Sequence, residues 1–122
     1  MDNVRVNRAD TSMDDRMITT YQGSPFTGEV VDFAADGTVI ELTSYENGIE
    51  HGPQVEWFPN GTKQLEGRCD RGKAVGEWRE WHSNGRLARY EEFDEFGELL
   101  KRQRWSEAGE LTEDHTGTPP RR

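Results

Sequence analysis

Three histidines, one cysteine and 24 carboxylates are the groups through which this chain could do chemistry. His51, His82 and His115 stand far apart and share no common interval, and with Cys69 the single cysteine, no zinc-ligand spacing exists. Each histidine therefore reads as a solvated loop or sheet residue. Glu56 and Glu80 sit at equivalent positions of two similar segments. A facing pair of carboxylates could act as general acid and base, but a polar column on a repeating sheet explains the same spacing and is the preferred reading. No nucleophile stands beside a base, and no glycine-rich loop opens a helix to cradle phosphate. Asn60-Gly61-Thr62 fits a glycosylation sequon, yet its Asn-Gly reads first as a turn. The expectation is no catalytic residue, no metal and no cofactor.

Two features could instead hold a partner. The stretch Glu91-Glu92-Phe93-Asp94-Glu95-Phe96-Gly97-Glu98 carries five acids, two aromatics and no base. Such a run is commonly a solvated face; as a docking patch it would steer a basic partner, most strongly at low salt. The second feature is tryptophan: Trp78 and Trp81 pack a sheet in the plain reading and anchor an interface in the functional one. The partner-binding candidates are Glu91, Glu92, Asp94, Glu95 and Glu98, with Trp78, Trp81 and Phe96 as anchors. A net charge of −9 disfavours direct contact with nucleic acid or an anionic membrane and favours a basic protein.

The elements that position these residues follow from a repeat. Gly37, Gly61, Gly85 and Gly109 are 24 residues apart, as are Phe33, Trp57, Trp81 and Trp105. Tyr21, Tyr45, Cys69 and Phe93 make a third column. Each unit holds two turn signals. One is Asp36-Gly37, Asn60-Gly61 or Asn84-Gly85, where glycine supplies positive φ. The second, looser one is Asn47 to Gly52 and then Arg71 to Gly76. Turns every 12 residues or so leave strands of roughly six to eight, which argues an antiparallel meander. Within it Val31 with Phe33, Val55 with Trp57, and Arg79 with Trp81 should share one face, with Trp78, Glu80 and His82 on the other.

The predicted fold is all-β: an elongated, single-layer antiparallel meander of β-hairpin repeats with about eight strands. Its units run about 21–44, 45–68, 69–92 and a degenerate capping unit 93–114. Residues 1–15 are expected to be a flexible N-terminal segment, 16–114 the repeat domain, and 115–122 a disordered tail. Met17–Tyr21 is expected to add an edge strand. Hydrophobic residues at 31% leave little for a deep core, which suits a thin sheet. Neither a signal-peptide core nor a run of about 20 apolar residues is present, so a cytoplasmic location is expected.

The pattern W-F-x-N-G-x-x-x-x-E-G, a short G-x-x-x-G loop, then E-W-x-x-W-x-x-N-G resembles the MORN-repeat variant of bacterial proteins, the YwqK-type antitoxin family. The resemblance covers about residues 21–92 and fades over 93–114. It implies an array of β-hairpins without enzymatic activity, in a family whose members accompany polymorphic toxins as immunity proteins. It transfers no catalytic or contact residues, because the motif is made of turn glycines and packing aromatics. On this resemblance the chain is expected to bind and neutralise a cognate toxin by covering it; the acidic charge of the chain points to a basic toxin, such as one acting on nucleic acid. The alternative is a MORN-type interaction scaffold or membrane-apposed module. Self-association through sheet edges is a further option.

Overall fold

The computed structural model describes residues 4–116. The chain runs β1 (Arg5–Asn7), a single 3-10 turn (Arg8–Asp10), β2 (Thr11–Met13), β3 (Thr19–Tyr21), β4 (Ser24–Pro25), β5 (Gly28–Phe33), β6 (Val39–Glu46), β7 (Ile49–Trp57), β8 (Lys63–Asp70), β9 (Lys73–Trp81), β10 (Leu87–Phe93), β11 (Leu99–Trp105) and β12 (Leu111–Thr116). Nine of these form one open sheet in the order β1-β5-β6-β7-β8-β9-β10-β11-β12; β2, β3 and β4 form a second, small one. From β5 onward every neighbour is antiparallel, the meander that the turn spacing predicts.

Two kinds of reversal alternate through the first units. At Phe58–Thr62, the Phe58 N–H donates to the Thr62 carbonyl at 2.8 Å and the Gly61 N–H to the Phe58 carbonyl at 2.9 Å. Gly61 takes φ +92° there, and the Asn60 side chain accepts from the Thr62 N–H at 3.0 Å and its hydroxyl at 2.7 Å. Asn60 is thus a turn-closing residue. Asp36 does the same one unit earlier, and the Thr38 backbone N–H holds its carboxyl below the usual carboxylate range. The second kind is tighter than the sequence suggests. Asn47-Gly48 and Arg71-Gly72 have positive φ at both residues (51° and 81°, 51° and 85°), the two-residue turn whose twist matches the strands. Gly52 and Gly76, read as loop residues from the sequence, lie inside β7 and β9. The final unit departs as expected, its reversals at 94–98 and 106–110 both being of the wider kind.

The single layer holds for most of the sheet but not at its beginning. Phe26, Val30 and Tyr45 form a buried cluster with Val6 and Tyr21 packed against it, and Tyr21 meets Phe26 edge-on at 5.7 Å. Backbone bonds stitch the small sheet to the large one: Thr19 N–H donates to the Gly48 carbonyl at 2.9 Å, and Gly48 N–H to the Phe26 carbonyl at 2.7 Å. Met17–Tyr21, expected as an edge strand, instead contributes β3 to this second layer. The N-terminal segment, expected to be flexible over 1–15, carries β1, the 3-10 turn and β2. Val6 supplies the reason, pairing in parallel with Val30 over the cluster, while Arg5 reaches Glu29 at 2.9 Å. At the other end His115 and Thr116, placed in the tail by sequence, pair with Arg102 and Lys101 as part of β12. The rest of the expected tail, 117–122, and residues 1–3 lie outside the described residues.

Candidate partner-binding surface

The strand register separates the residues that the sequence grouped. Trp78 and Glu91 are directly opposite on β9 and β10 and share one face. Glu92 points to the other, opposite Glu77 and Lys101. Trp81 shares that second face but stands at the far end of β9, opposite Leu87. Asp94, Glu95, Phe96 and Glu98 belong to the β10–β11 turn, whose Gly97 lies by Lys73 and Ala74. The eight candidates therefore form no continuous patch.

Several are engaged within the fold. Glu91 is 7% exposed and accepts from the Arg102 Nε at 2.6 Å, with the Arg89 Nε at 3.8 Å. Glu92 accepts from the Tyr90 hydroxyl at 2.6 Å. Burial, and then Glu92, drive the Tyr90 phenol well above its ordinary pKa. The Arg79 guanidinium lies 5.0 Å from the Tyr90 ring centre and the Lys101 amine 5.8 Å, so this face carries a charged collar around one tyrosine. Asp94 accepts from the Phe96 and Glu98 N–H groups, each at 2.9 Å. Trp78 donates its indole N–H to the Arg68 and Val75 carbonyls at 3.1 and 3.2 Å, and its ring covers Gly67, where a Cβ would collide with it. Trp78 is therefore a packing residue. Phe96, 62% exposed, and Glu95 keep the exposure expected of contact residues.

The register also assembles a row that residue grouping along the chain misses. Asp32, Glu41, Glu56, Leu65, Glu80, Arg89, Arg104 and Glu113 are successive cross-strand partners on one face. It interleaves two 24-residue columns, 32/56/80/104 and 41/65/89/113, which is the signal that could have found it. Arg8 approaches Glu41 at 3.8 Å, Arg89 lies 3.3 Å from Glu80, and Arg104 2.9 Å from Glu113. Among the described residues no cation stands within ion-pair distance of Glu56. Burial, then Glu41 and Glu80, raise its carboxyl above the usual glutamate range. Glu56 and Glu80 lie two strands apart with Leu65 between them, about 9.6 Å in backbone spacing, too far to share a proton.

Glu56 makes a pH-dependent prediction. A carboxyl whose pKa is raised in the fold destabilises the fold when ionised; the penalty is present above the folded pKa and absent once folded and unfolded chains are both protonated. Glu56→Gln should therefore stabilise the protein at pH 7 by about 0.5–1 kcal/mol, the scale of like charges facing across strands. The gain should fade below about pH 4. Urea unfolding at both pH values reads it; a gain that is independent of pH would remove the like-charge explanation.

The remaining titratable groups are held by the turns and strands. His51 Nδ1 accepts from the Arg71 N–H at 3.1 Å and lies 3.3 Å from Asp70. His82 donates its Nε2 proton to the Trp105 carbonyl at 2.8 Å. Cys69 is buried, its thiol pushed up to about 11 by burial and then by Glu50. Among the described residues no group of His, Cys, Asp and Glu could hold a metal ion, and no helix is long and apolar enough to cross a membrane.

Comparison with known proteins bears on the fold. No curated protein matches the chain. A crystal structure of accessory secretory protein 1, 2 and 3 from Streptococcus pneumoniae is similar at 21% identity and a TM-score of 0.30, over 84% of this chain and 18% of that one. This chain therefore spans less than a fifth of that protein. The family model of the MORN repeat variant matches residues 74–95, which are most of β9, the turn at Asn84-Gly85 and β10. At residues 74–95, then, this chain carries a repeat of the MORN variant family, set in a meander whose other units repeat its Gly85 turn glycine (Gly37, Gly61, Gly109) and an aromatic at the Trp81 position (Phe33, Trp57, Trp105).

Proposed function

We infer that this chain is a non-enzymatic immunity protein or antitoxin, which binds a basic, nucleic-acid-acting bacterial toxin in the cytoplasm and occludes it. The observation that carries the reading is the row Asp32–Glu41–Glu56–Glu80. It sets four carboxylates on one face, with no cation within ion-pair distance of Glu56 among the described residues, in a chain of net charge −9. A lysine or arginine from a partner set over Glu56 would relieve the repulsion from Glu41 and Glu80. Binding would thus draw on a charge conflict already present in the free protein. A toxin that grips nucleic acid presents cations in the cleft to be covered, and the carboxylate-bearing face of an open sheet can lie across it.

The test is co-expression with the toxin encoded beside this chain, read as rescue of growth and as affinity of the purified pair. The Glu56→Gln/Glu80→Gln variant should bind at least tenfold more weakly, with the loss greater at low salt. Unchanged affinity at every salt concentration would remove this face from the mechanism. The second reading, a MORN-type interaction scaffold, draws on the family match alone. It gains ground if the chain pellets with anionic liposomes, which the charge opposes.

A further inference from the structure

The main sheet is open, and β12 ends it. β12 pairs with β11 on one side; among the described residues nothing pairs with the other. Such an edge presents a row of unpaired N–H and C=O groups, a template on which another strand can be laid. Leu111–Thr116 is six residues long, enough for an added strand of about 20 Å. The opposite edge, β1, has only three residues.

Charge decides what fits there. Residues 105–116 contain Glu107, Glu110, Glu113 and Asp114 and no lysine or arginine. Of these four acids, only Glu113 has an ion-pair partner among the described residues, Arg104. A second copy of β12 would bring the same carboxylates alongside, and like charges facing across strands oppose pairing. The β1 of a second copy offers one cation, Arg5, already donating twice to Glu29 at 2.9 and 3.1 Å. Self-association through the edges is therefore disfavoured at both ends. An extended segment rich in lysine and arginine meets the edge on both counts: its backbone completes the ladder, and its side chains answer Glu110 and Asp114. Leu111, 51% exposed at the start of the strand, offers one apolar contact.

We propose that the outer edge of β12 is a strand-addition site for a basic, extended segment of a protein partner. The inference rests on the reading of the chain as a binder of a basic protein, and it adds a second point of engagement distinct from the Glu56 face. Strand addition draws its affinity from main-chain hydrogen bonds and its selectivity from the side chains beside them.

The experiment uses the full chain, labelled for amide detection, and an octapeptide alternating lysine and valine. Two controls accompany it: a twin with every internal amide nitrogen methylated, and a twin with glutamate for lysine. The lysine peptide should slow hydrogen exchange at alternate amides of 111–116, and both twins should bind at least tenfold more weakly. Glu110→Lys/Asp114→Lys, at two exposed positions, should weaken the lysine peptide by at least tenfold while leaving the thermal unfolding midpoint in place. Equal binding of the methylated twin, protection mapped to the Glu41–Glu56 face, or no binding of the lysine peptide would each overturn the proposal. The two readings fail separately. Should the toxin bind Glu110→Lys/Asp114→Lys as tightly as the unaltered chain, the edge falls and the occluding face stands. Should the peptide dock on β12 while no toxin is bound, the toxin reading falls and the edge stands.

Discussion

Gly48→Ala is expected to destabilise the protein by about 3 kcal/mol and to loosen the small N-terminal sheet from the meander. Two costs add. Gly48 sits at φ +81°, in the left-handed region where an L side chain costs about 1–2 kcal/mol. Its Cβ would also stand 2.7 Å from the Thr19 carbonyl oxygen and run into the Ile18 side chain. The carbonyl cannot swing away as a flexible side chain could, because Thr19 is tied by its own N–H to the Gly48 carbonyl. Overpacking of that kind adds about 1–3 kcal/mol. Gly61→Ala is the control: its φ is +92°, and nothing lies within 4 Å of the Cβ it would gain. It should lose only the conformational part, about 1–2 kcal/mol. Urea unfolding of both variants, with amide exchange at residues 18–28, separates the terms. Equal losses would mean that the seam at Thr19–Gly48–Phe26 contributes little.

That seam is also where the sequence was least legible. The meander could be read because its information is local and repeated: Asn-Gly and Asp-Gly turns, one aromatic of the Phe33/Trp57/Trp81/Trp105 column per unit, and the same parity in Val31–Phe33, Val55–Trp57 and Arg79–Trp81. The register confirms that parity, aligning Val31, Leu42, Val55, Glu66 and Arg79 across successive strands. The small sheet has none of these signals. Its strands are two and three residues long, too short for alternation to register, and β1 joins the main sheet in parallel by passing from residue 7 to residue 28. What holds them is the tertiary cluster at Phe26, Val30 and Tyr45, which no local pattern announces. Gly52 and Gly76 misled for a related reason: a glycine inside a strand beside an irregular register looks, in one dimension, like a glycine in a loop.

The surface was harder to read because neighbours in a strand point to opposite faces. Glu91 and Glu92 are adjacent in sequence and about as far apart in environment as two residues of one strand can be. One lies under Arg102; the other accepts a hydrogen bond from the Tyr90 hydroxyl. A run of acids along a strand is thus not a patch, whereas acids 24 residues apart, or at cross-strand positions, are. The 24-residue columns 32/56/80/104 and 41/65/89/113 could each be read from the sequence, but setting Glu41 beside Glu56 needed the register, since Leu65 and Arg89 occupy the same column as Glu41.

The Glu91–Arg102 pair carries the other large expected effect, and it asks what that carboxylate is for. The same cross-strand place is filled by Thr43 with Gln54 in β6–β7, by Gly67 under Trp78 in β8–β9, and by Glu91 with Arg102 in β10–β11. Each pair fills one slot in its hairpin, so Glu91 with Arg102 is the β10–β11 hairpin's answer to a packing problem. Arg102→Met removes the 2.6 Å partner and leaves the buried carboxylate to Arg89 at 3.8 Å. Losing one partner of a buried pair costs about 3–5 kcal/mol. Arg102 is one-third exposed and Arg89 remains nearby, so about 2 kcal/mol is expected. Glu91→Leu strands a guanidinium that can turn toward water, and should cost about 1 kcal/mol. The double variant Glu91→Leu/Arg102→Met replaces both partners with apolar groups and should fall within about 1 kcal/mol of the unaltered chain. Urea unfolding of the four proteins gives the coupling, and affinity for the basic partner should be unchanged in the double variant. Additive losses would show that the pair is not coupled. A folded double variant that no longer binds would return Glu91 to the contact surface from which its burial removes it.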